Sequence, residues 1–464
     1  MNFDVIVIGS GPGGYVAAIR ASQLGLKTAV VERAEMGGIC LNWGCIPTKA
    51  LLKSAQVYQY AKHAANYGIA TEGEIKPDFA AIVARSRGVA ETMGKGVRFL
   101  LEKYKVEIIT GEATLKPNKT VSVKMNEDGS VKDFTASHII LATGSRSKVL
   151  PNLPQDGVKI IGYRQAMNLP AQPESMVVVG SGAIGSEFAH FYQSIGTKVT
   201  LVEFMPQIVP VEDADSAAQL SRSFRKNGMK VLVESSVERV DTAGDKCKVY
   251  IKTKKGEEVH ECDIVLSAVG VVPNTDNIGL EELGVKMEKG KIVTDVYGRT
   301  NVEGLYAIGD ITPGAALAHV ASREAKVCVE KIAGHNPVPV DYTNIPGCTY
   351  TSPEIASVGL SEKKALEAGY EIKVGRVPFT ASGKATAMGS RDGFVKVIFD
   401  AKTNLLLGCH MTGENVTEMI AEAVLVRQQK LTAQDIMHAI HPHPTLSESF
   451  LEAVEAAYGE CVHI

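Results

Sequence analysis

The sequence predicts an α/β chain in which one parallel-sheet unit is built twice, and three observations carry that expectation. First, a run of β-branched residues over Asp4–Ile8 reads as a strand covered on both faces. It leads into Gly9-Ser10-Gly11-Pro12-Gly13-Gly14, a small-residue helix with Ala17, Ala18 and Ala21, and a second strand, Thr28–Val31, ending at Glu32. Second, at an offset of 171 residues the same order returns. Met176–Val179 precedes Gly180-Ser181-Gly182-Ala183-Ile184-Gly185, then come a helix and the strand Val199–Val202, ending at Glu203. In both copies 23 positions separate the first glycine from the glutamate, and Gly25 and Lys27 recur as Gly196 and Lys198. Third, 464 residues with 45% hydrophobic and 22% charged residues suit a globular chain of several domains.

Each copy is G-x-G-x-x-G in the strand–turn–helix setting of a Rossmann-like dinucleotide site. The first glycine (Gly9, Gly180) makes the tight turn and the second (Gly11, Gly182) lets backbone approach a pyrophosphate. The third (Gly14, Gly185) packs helix on strand, and the glutamate accepts from ribose hydroxyls. Two such sites in one chain point to an electron relay between FAD and a nicotinamide. The first copy is followed at once by a cysteine pair, so FAD is assigned to it and the nicotinamide to the second. Glu203 favours NAD over NADP: a 2′-phosphate about 4 Å from a carboxylate costs on the order of 4 kcal/mol near a surface. Phe204-Met205-Pro206-Gln207-Ile208 brings no cation to offset it.

Charge and apolar patterning exclude other classes. The net charge of -3, from 49 basic and 52 acidic residues without a long one-sign block, argues against nucleic acid or an anionic membrane as partner. No apolar run approaches the ~20 residues of a membrane span. Residues 1–9 already read as a strand with no leader pattern, so a cytoplasmic protein is expected.

Eight cysteines make no disulfide scaffold in a chain of this length, which suits a reducing compartment. Only Cys40 and Cys45 are close in sequence; Cys247, Cys262, Cys328, Cys348, Cys409 and Cys461 are scattered singly. Pro47 and the apolar stretch after it place Cys45 near a helix N-terminus, a position that stabilises a thiolate. Three readings of the pair compete: a zinc site, which lacks a second ligand pair, two structural thiols, and a redox disulfide. The two dinucleotide sites favour the third, with Cys45 facing the flavin and Cys40 exchanging with substrate. No metal is expected.

Near the C-terminus, His443 lies between Pro442 and Pro444, ahead of a helix. With Glu448 it suits an acid/base for thiol–disulfide chemistry. Thr445-x-x-Glu448 also reads as a capping box, which gives Glu448 a structural alternative. His441 and His438 read equally as loop or helix-end residues. Glu187 stands where the first copy has Val16; it is either a carboxylate favoured by the helix dipole or a buried partner of a lysine near the flavin.

Together these residues resemble the dihydrolipoamide dehydrogenases, within the two-cysteine flavin disulfide reductases. The resemblance runs the whole length. It rests on GGICLNWGCIPTK (37–49), LATGS (141–145), GSGAIGSE (180–187), LYAIGD (305–310) and HPHPTLSE (441–448). It implies an FAD domain at 1–145, an NAD domain at 146–270, a segment at 271–342 completing the FAD domain, and a C-terminal α+β dimerisation domain at 343–464. By the same resemblance Cys40 is the interchange thiol and Cys45 the flavin-side thiol. His443, oriented by Glu448, serves the disulfide of the partner subunit in a homodimer. Lys49 near the flavin pairs with Glu187. Asp310 lies on the flavin ribityl chain, Ala316, Leu317, Ala318 and His319 follow the cofactor, and Gly111, Thr143, Gly144 and Ser145 line it. Val237 and Gly270 join the NAD site. The implied reaction oxidises dihydrolipoyl groups on acyltransferase or glycine-cleavage carrier proteins. Glutathione-type disulfide reductase and mercuric reductase are the alternatives. Three positions depart from the pattern: Trp43, Pro442 and the pair Val271-Val272.

Overall fold

The computed structural model describes residues 2–464 and divides into two compact units. The first comprises Met1–Leu51, Ala80–Lys148 and Gly270–Tyr342; the second comprises Leu52–Phe79, Val149–Val269 and Thr343–Ile464.

In the first unit, β1 (Asn2–Ile8) is the central strand, with Val5, Ile6 and Val7 fully buried. Helix α1 (Pro12–Gln23) follows the glycine turn and returns the chain to β2 (Thr28–Glu32), parallel to β1 with Val5 opposite Thr28. Two further helices carry the cysteine segment, α2 (Gly38–Asn42) and α3 (Cys45–Lys62), and α4 (Phe79–Lys103) follows. Strand β3 (Glu107–Lys116) pairs in parallel with β2, and β4 (Thr120–Met125) and β5 (Val131–Leu141) turn back antiparallel, bringing β5 beside β1.

The far edge is supplied from 164 residues beyond the end of β5, by Leu305–Ala307 in parallel register on β5, Leu305 opposite Ile139. The helix after it, Ala318–Ile332, packs on α1. A Cβ at Gly13 would stand 3.3 Å from Ala321, so small residues set this close crossing. Ser145–Ser147 pairs antiparallel with Val271–Pro273, so the long excursion leaves and re-enters this unit at one place. The Val271-Val272 departure is thus a strand of this two-stranded ribbon.

The second unit holds the repeat. Its parallel sheet runs Lys230–Leu232, Lys198–Val202, Ser175–Val179, Ile264–Ser267 and Ile160–Ile161. A three-stranded antiparallel sheet (Ser236–Asp241, Cys247–Thr253, Gly256–Cys262) shares a core with it through Val177, Val202, Val249 and Ile251. Cys247 and Cys262, remote in sequence, stand opposite each other in this ladder and are fully buried. Burial pushes the Cys262 thiol up to about 12, which keeps this pair in its protonated, unreactive form.

The same unit contains a five-stranded antiparallel sheet, in the order Gly347–Thr349, Glu354–Gly359, Leu406–Gly413, Phe394–Asp400 and Ile372–Pro378. Helix Glu448–Tyr458 packs on it so tightly that a Cβ at Gly375 would stand 1.9 Å from the Ala453 carbonyl. Lys396, 4% exposed, ties this sheet to the helix Ala214–Lys226, which follows a strand of the parallel one, by binding Asp213 at 3.1 Å and Asp215 at 2.8 Å; it also binds Glu362, between two strands of its own sheet, at 2.7 Å.

Residues 149–269 of the expected segment at 146–270 and all of the segment at 343–464 therefore lie in one compact unit, joined by polar contacts that leave no trace in local sequence. The chain also assigns Leu52–Phe79 to this unit rather than to the first. Tyr60, in the second half of α3, donates to Glu414 at 2.8 Å and explains why.

Candidate functional site

The two glycine turns share one geometry down to single hydrogen bonds. Gly9 and Gly180 sit at φ +98° and +95°, a left-handed conformation that glycine adopts without a Cβ penalty. At Gly14 and Gly185 a Cβ would stand 1.8 and 1.9 Å from the carbonyl oxygens of Gly9 and Gly180. Of the three motif glycines in each turn, only the second, Gly11 or Gly182, has a Cβ position that meets nothing within 4 Å. Those two glycines thus leave an open cradle at the start of a helix, which fits the pyrophosphate of FAD in the first copy and of NAD in the second. Gly185→Val overpacks that turn, at a cost of about 1–3 kcal/mol. It is expected to weaken NAD about ten- to a hundred-fold while bound FAD is retained, read by NADH titration of the flavin-loaded chain.

Glu32 and Glu203 are 8% and 7% exposed and have the same partners. Glu32 Oε2 accepts from the Ser10 backbone N–H (2.8 Å) and hydroxyl (2.7 Å), and its Oε1 accepts from Ala34 N–H (2.9 Å). Glu203 Oε2 accepts from Ser181 N–H (2.9 Å) and hydroxyl (2.6 Å), and its Oε1 accepts from Met205 N–H (2.8 Å). A carboxylate offers about four acceptor sites, so each Oε1 keeps capacity for a ribose hydroxyl. Ser10 and Ser181 escaped the sequence reading, although the motif copies share a serine at that position. Ser10 Oγ also accepts from Gly37 N–H at 3.1 Å, which ties the phosphate turn to the cysteine segment.

That segment lies against the same turn: a Cβ at Gly38 would stand 2.7 Å from Gly11 Cα. Cys40 is on α2 and Cys45 is the first residue of α3, with Pro47 in its first turn. Cys45 is therefore at the helix start, as the sequence predicts. The two cysteine side chains are in hydrogen-bond contact, and that contact together with burial pushes the Cys40 thiol up. The charge of Lys49, one helical turn past Cys45, acts in the opposite direction on Cys40. The structure thus brings Cys40, Cys45 and Lys49 together next to the first cradle.

On the other side of β1, Asp310 lies in a short helical turn, Gly309–Ile311, and accepts from the Ser145 hydroxyl at 2.6 Å. Thr143 Oγ1 donates to the Asn274 carbonyl at 2.7 Å, and Gly144 is left-handed at φ +68°. Asn274, which the motifs do not flag, returns a bond from its side-chain amide to the Thr143 carbonyl at 3.0 Å. Ala316 and Leu317 lead into the helix Ala318–Ile332, with Leu317 at its N-cap, Ala318 as its first residue and His319 in its first turn. Gly111 lies in the β3–β4 ladder, where a Cβ would stand 2.5 Å from the Lys124 carbonyl, so it has a packing reason of its own.

In the second unit, Glu187 is 4% exposed on the helix Ala183–Ser194 and accepts from Tyr350 N–H at 3.0 Å. It is a buried carboxylate, not a solvent-facing helix-end charge. Val237 is buried beside the bulge at 237–239. Gly270, by contrast, falls in the first unit, at φ +107°, where its carbonyl accepts from Lys148 N–H at 3.0 Å.

His443 Nδ1 is 2.8 Å from Glu448 Oε1, and the imidazole is 79% exposed. Glu448 Oε2 accepts from Thr445 N–H at 2.7 Å. The helix starts at Glu448, and Thr445 Oγ1 donates to the Pro442 carbonyl at 2.7 Å. The expected capping box is therefore only half formed, and the two carboxylate oxygens divide the two expected roles. Slight burial pushes the Glu448 carboxyl up, but Thr445 N–H and His443 outweigh it and hold the group below its ordinary range. It therefore stays ionised and fixes the ring with its other nitrogen outward. His441 is engaged elsewhere, with Nε2 2.8 Å from Glu422.

The chain is similar to known proteins along its whole length. Residues 3–325 match the family model for pyridine nucleotide-disulphide oxidoreductases, and residues 345–454 match the dimerisation domain of that family. A dihydrolipoyl dehydrogenase of Rhizobium etli is 50% identical over 477 aligned residues, covering 100% of this chain and 99% of that protein. One of Zymomonas mobilis is 48% identical over 466, with the same coverage of each. The crystal structure of LpdA from Mycobacterium tuberculosis superposes with a TM-score of 0.91 at 27% identity, covering 97% of this chain and 99% of that one. Among the described residues no helix is long and apolar enough to cross a membrane.

Proposed function

The chain belongs to the pyridine nucleotide-disulphide oxidoreductases, and from that premise we infer that it is an NAD-dependent dihydrolipoyl dehydrogenase with FAD as its resident cofactor. The contact between Cys40 and Cys45 beside the first cradle is the observation that carries this reading. A dihydrolipoyl thiolate attacks Cys40 Sγ, the Cys40–Cys45 bond breaks, and Cys45 leaves as a thiolate. The second substrate thiol, its proton taken by His443, attacks the mixed disulfide, so lipoyl disulfide forms and Cys40 is released reduced. Two electrons thereby leave the substrate, its first proton having left when the attacking thiolate formed and its second resting on His443. When bound, FAD supplies the route by which the electron pair passes from the dithiol to NAD as hydride.

This chain's residues set the conditions for that exchange. The N-terminus of α3 stabilises the departing Cys45 thiolate, and Lys49 adds positive charge close by. Lys49 paired with Glu187 remains part of the proposal, as do the flavin contacts of Thr143, Gly144, Ser145, Asp310 and Ala316–His319. So do the NAD contacts of Val237 and Gly270 and the four functional segments. The dimerisation domain supports a homodimer. In it each copy's His443, exposed with Nδ1 fixed, serves the disulfide of the other. The substrates are lipoyl groups on acyltransferase or glycine-cleavage carrier proteins, and the compartment is the cytoplasm.

Steady-state assay tests this directly. Dihydrolipoamide with NAD should turn over at least about a hundred-fold faster than glutathione disulfide with NADPH, since a buried-site like charge at Glu203 costs several kcal/mol. A preference for the glutathione disulfide and NADPH pair would sink the assignment. Cys461 is flanked by Glu460 and Val462, so it does not form the vicinal cysteine pair that mercuric reduction would need.

A further inference from the structure

Three consecutive residues of α4 reach the segment that carries the two sulfurs. Arg85 Nη1 donates to the Ala50 carbonyl at 2.8 Å, Ser86 Oγ to the Pro47 carbonyl at 3.0 Å, and Arg87 Nη2 to the Asn42 carbonyl. Consecutive helical residues project about 100° apart, so one helix engages three carbonyls in this way only where the partner chain wraps around it. The segment does so: Asn42 ends α2, and Pro47 and Ala50 lie in the first turns of α3.

Arg87 makes a second contact that the other two do not. Its guanidinium carbon stands over the Trp43 ring, 4.1 Å from its centre, a cation–π contact. The indole N–H donates to Glu35 Oε1 at 3.2 Å, so the ring is held on its face by Arg87 and on its edge by Glu35. Asn42 is fixed in turn, its side-chain amide donating to the carbonyls of Met36 and Gly38, each at 2.9 Å. Residues 42 and 43 lie between Cys40 and Cys45, and Arg87 holds both.

The arrangement carries a cost that simple packing does not explain. Arg87 Nη1 is buried with no hydrogen-bond partner among the described residues, and burial lowers the pKa of the guanidinium. A neutral side chain of similar length would fill the space without leaving a buried donor unsatisfied. A cation with several donors is needed only if the ring contact and the bond to Asn42 are to be made together.

We propose that Arg87 is a positioning residue for thiol–disulfide exchange at Cys40 and Cys45. The sulfurs are about 2.05 Å apart when bonded and must separate when the bond breaks. With residues 42 and 43 clamped, side-chain torsions take up that separation and the backbone between the sulfurs keeps its place. Cys40 then stays where the incoming thiolate meets it through the whole cycle.

The proposal rests on the redox reading of the cysteine pair, and its test separates the two. The FAD-loaded full chain is reduced with dithiothreitol, and thiols freed at Cys40 and Cys45 are counted by alkylation and mass spectrometry. If the parent frees no such pair, the redox reading itself fails. With the parent reducible, Arg87→Ala should slow this reduction about ten-fold and make Trp43, the single tryptophan, more accessible to acrylamide quenching. NADH should still reduce the bound flavin at the parental KM. Millimolar guanidinium should restore part of the exchange rate and ammonium should not, a rescue that lost packing alone would not show. Should Arg87→Ala lose FAD, Arg87→Lys and Arg87→Gln carry the same measurements. Exchange at the parental rate in any FAD-loaded variant, or unchanged quenching of Trp43, overturns the proposal.

Discussion

Replacing Cys40 with serine is expected to bring dihydrolipoamide oxidation to background, a loss of at least about 10³-fold, because groups acting as one unit fail together. Serine is nearly isosteric but forms no disulfide, so the substrate thiolate has no sulfur to attack. Cys45→Ser should fail equally, and for a different reason. Its sulfur is the leaving group at the start of α3, where the helix N-terminus favours a thiolate. The variants are told apart by their remaining thiol. In Cys45→Ser the substrate-facing Cys40 should remain open to alkylation, whereas in Cys40→Ser the remaining Cys45 lies on the flavin side. Both should keep bound FAD, because the phosphate turn and Glu32 are untouched, and an absorption spectrum checks that. Appreciable lipoamide turnover by either variant would refute the exchange mechanism.

The second large effect belongs to His443. Its Nδ1 is bound to Glu448 and its outer face is open, the geometry of a base whose tautomer is fixed by its neighbour. His443→Gln should lower kcat/KM for dihydrolipoamide by about 10²–10⁴-fold, the usual worth of a general base. The pH dependence of kcat/KM should differ between the parent and His443→Gln, because only the parent holds this base. Glu448→Gln should lose less and keep the parental form of the profile, since the ring remains although its orientation is loosened. NADH reduction of the flavin should be unaffected in both, because no step of it uses this proton. A parental pH profile in His443→Gln would remove the histidine from the mechanism.

Both predictions begin from residues legible in the chain, but not equally so. Cys45 could be placed at a helix start because proline in the first turn and the apolar residues after it are local signals. Glu448 could not be settled locally, since a carboxylate three residues after a threonine fits a cap as well as a histidine partner. The structure divides the group by oxygen atom, one on His443 and one on Thr445 N–H. Glu187 was likewise open between helix dipole and buried partner, and its burial with Tyr350 N–H on one oxygen is a long-range outcome.

The features written locally in the chain are those that depend on backbone conformation over a few residues. The two glycine turns are of this kind: their left-handed first glycines and their crowded third glycines are required wherever such a turn is built, so spacing alone reveals them. Only the tertiary structure decided which distant groups complete those turns. Ser10 and Ser181 hold the ribose carboxylates, Leu305–Ala307 closes the first sheet, and Lys396 ties the C-terminal sheet to the helix Ala214–Lys226. The clamp of Arg85, Ser86 and Arg87 on the cysteine segment belongs to the same class. Each joins side chains tens to hundreds of residues apart, and their convergence is fixed by packing and burial, which leave no periodic mark on the chain.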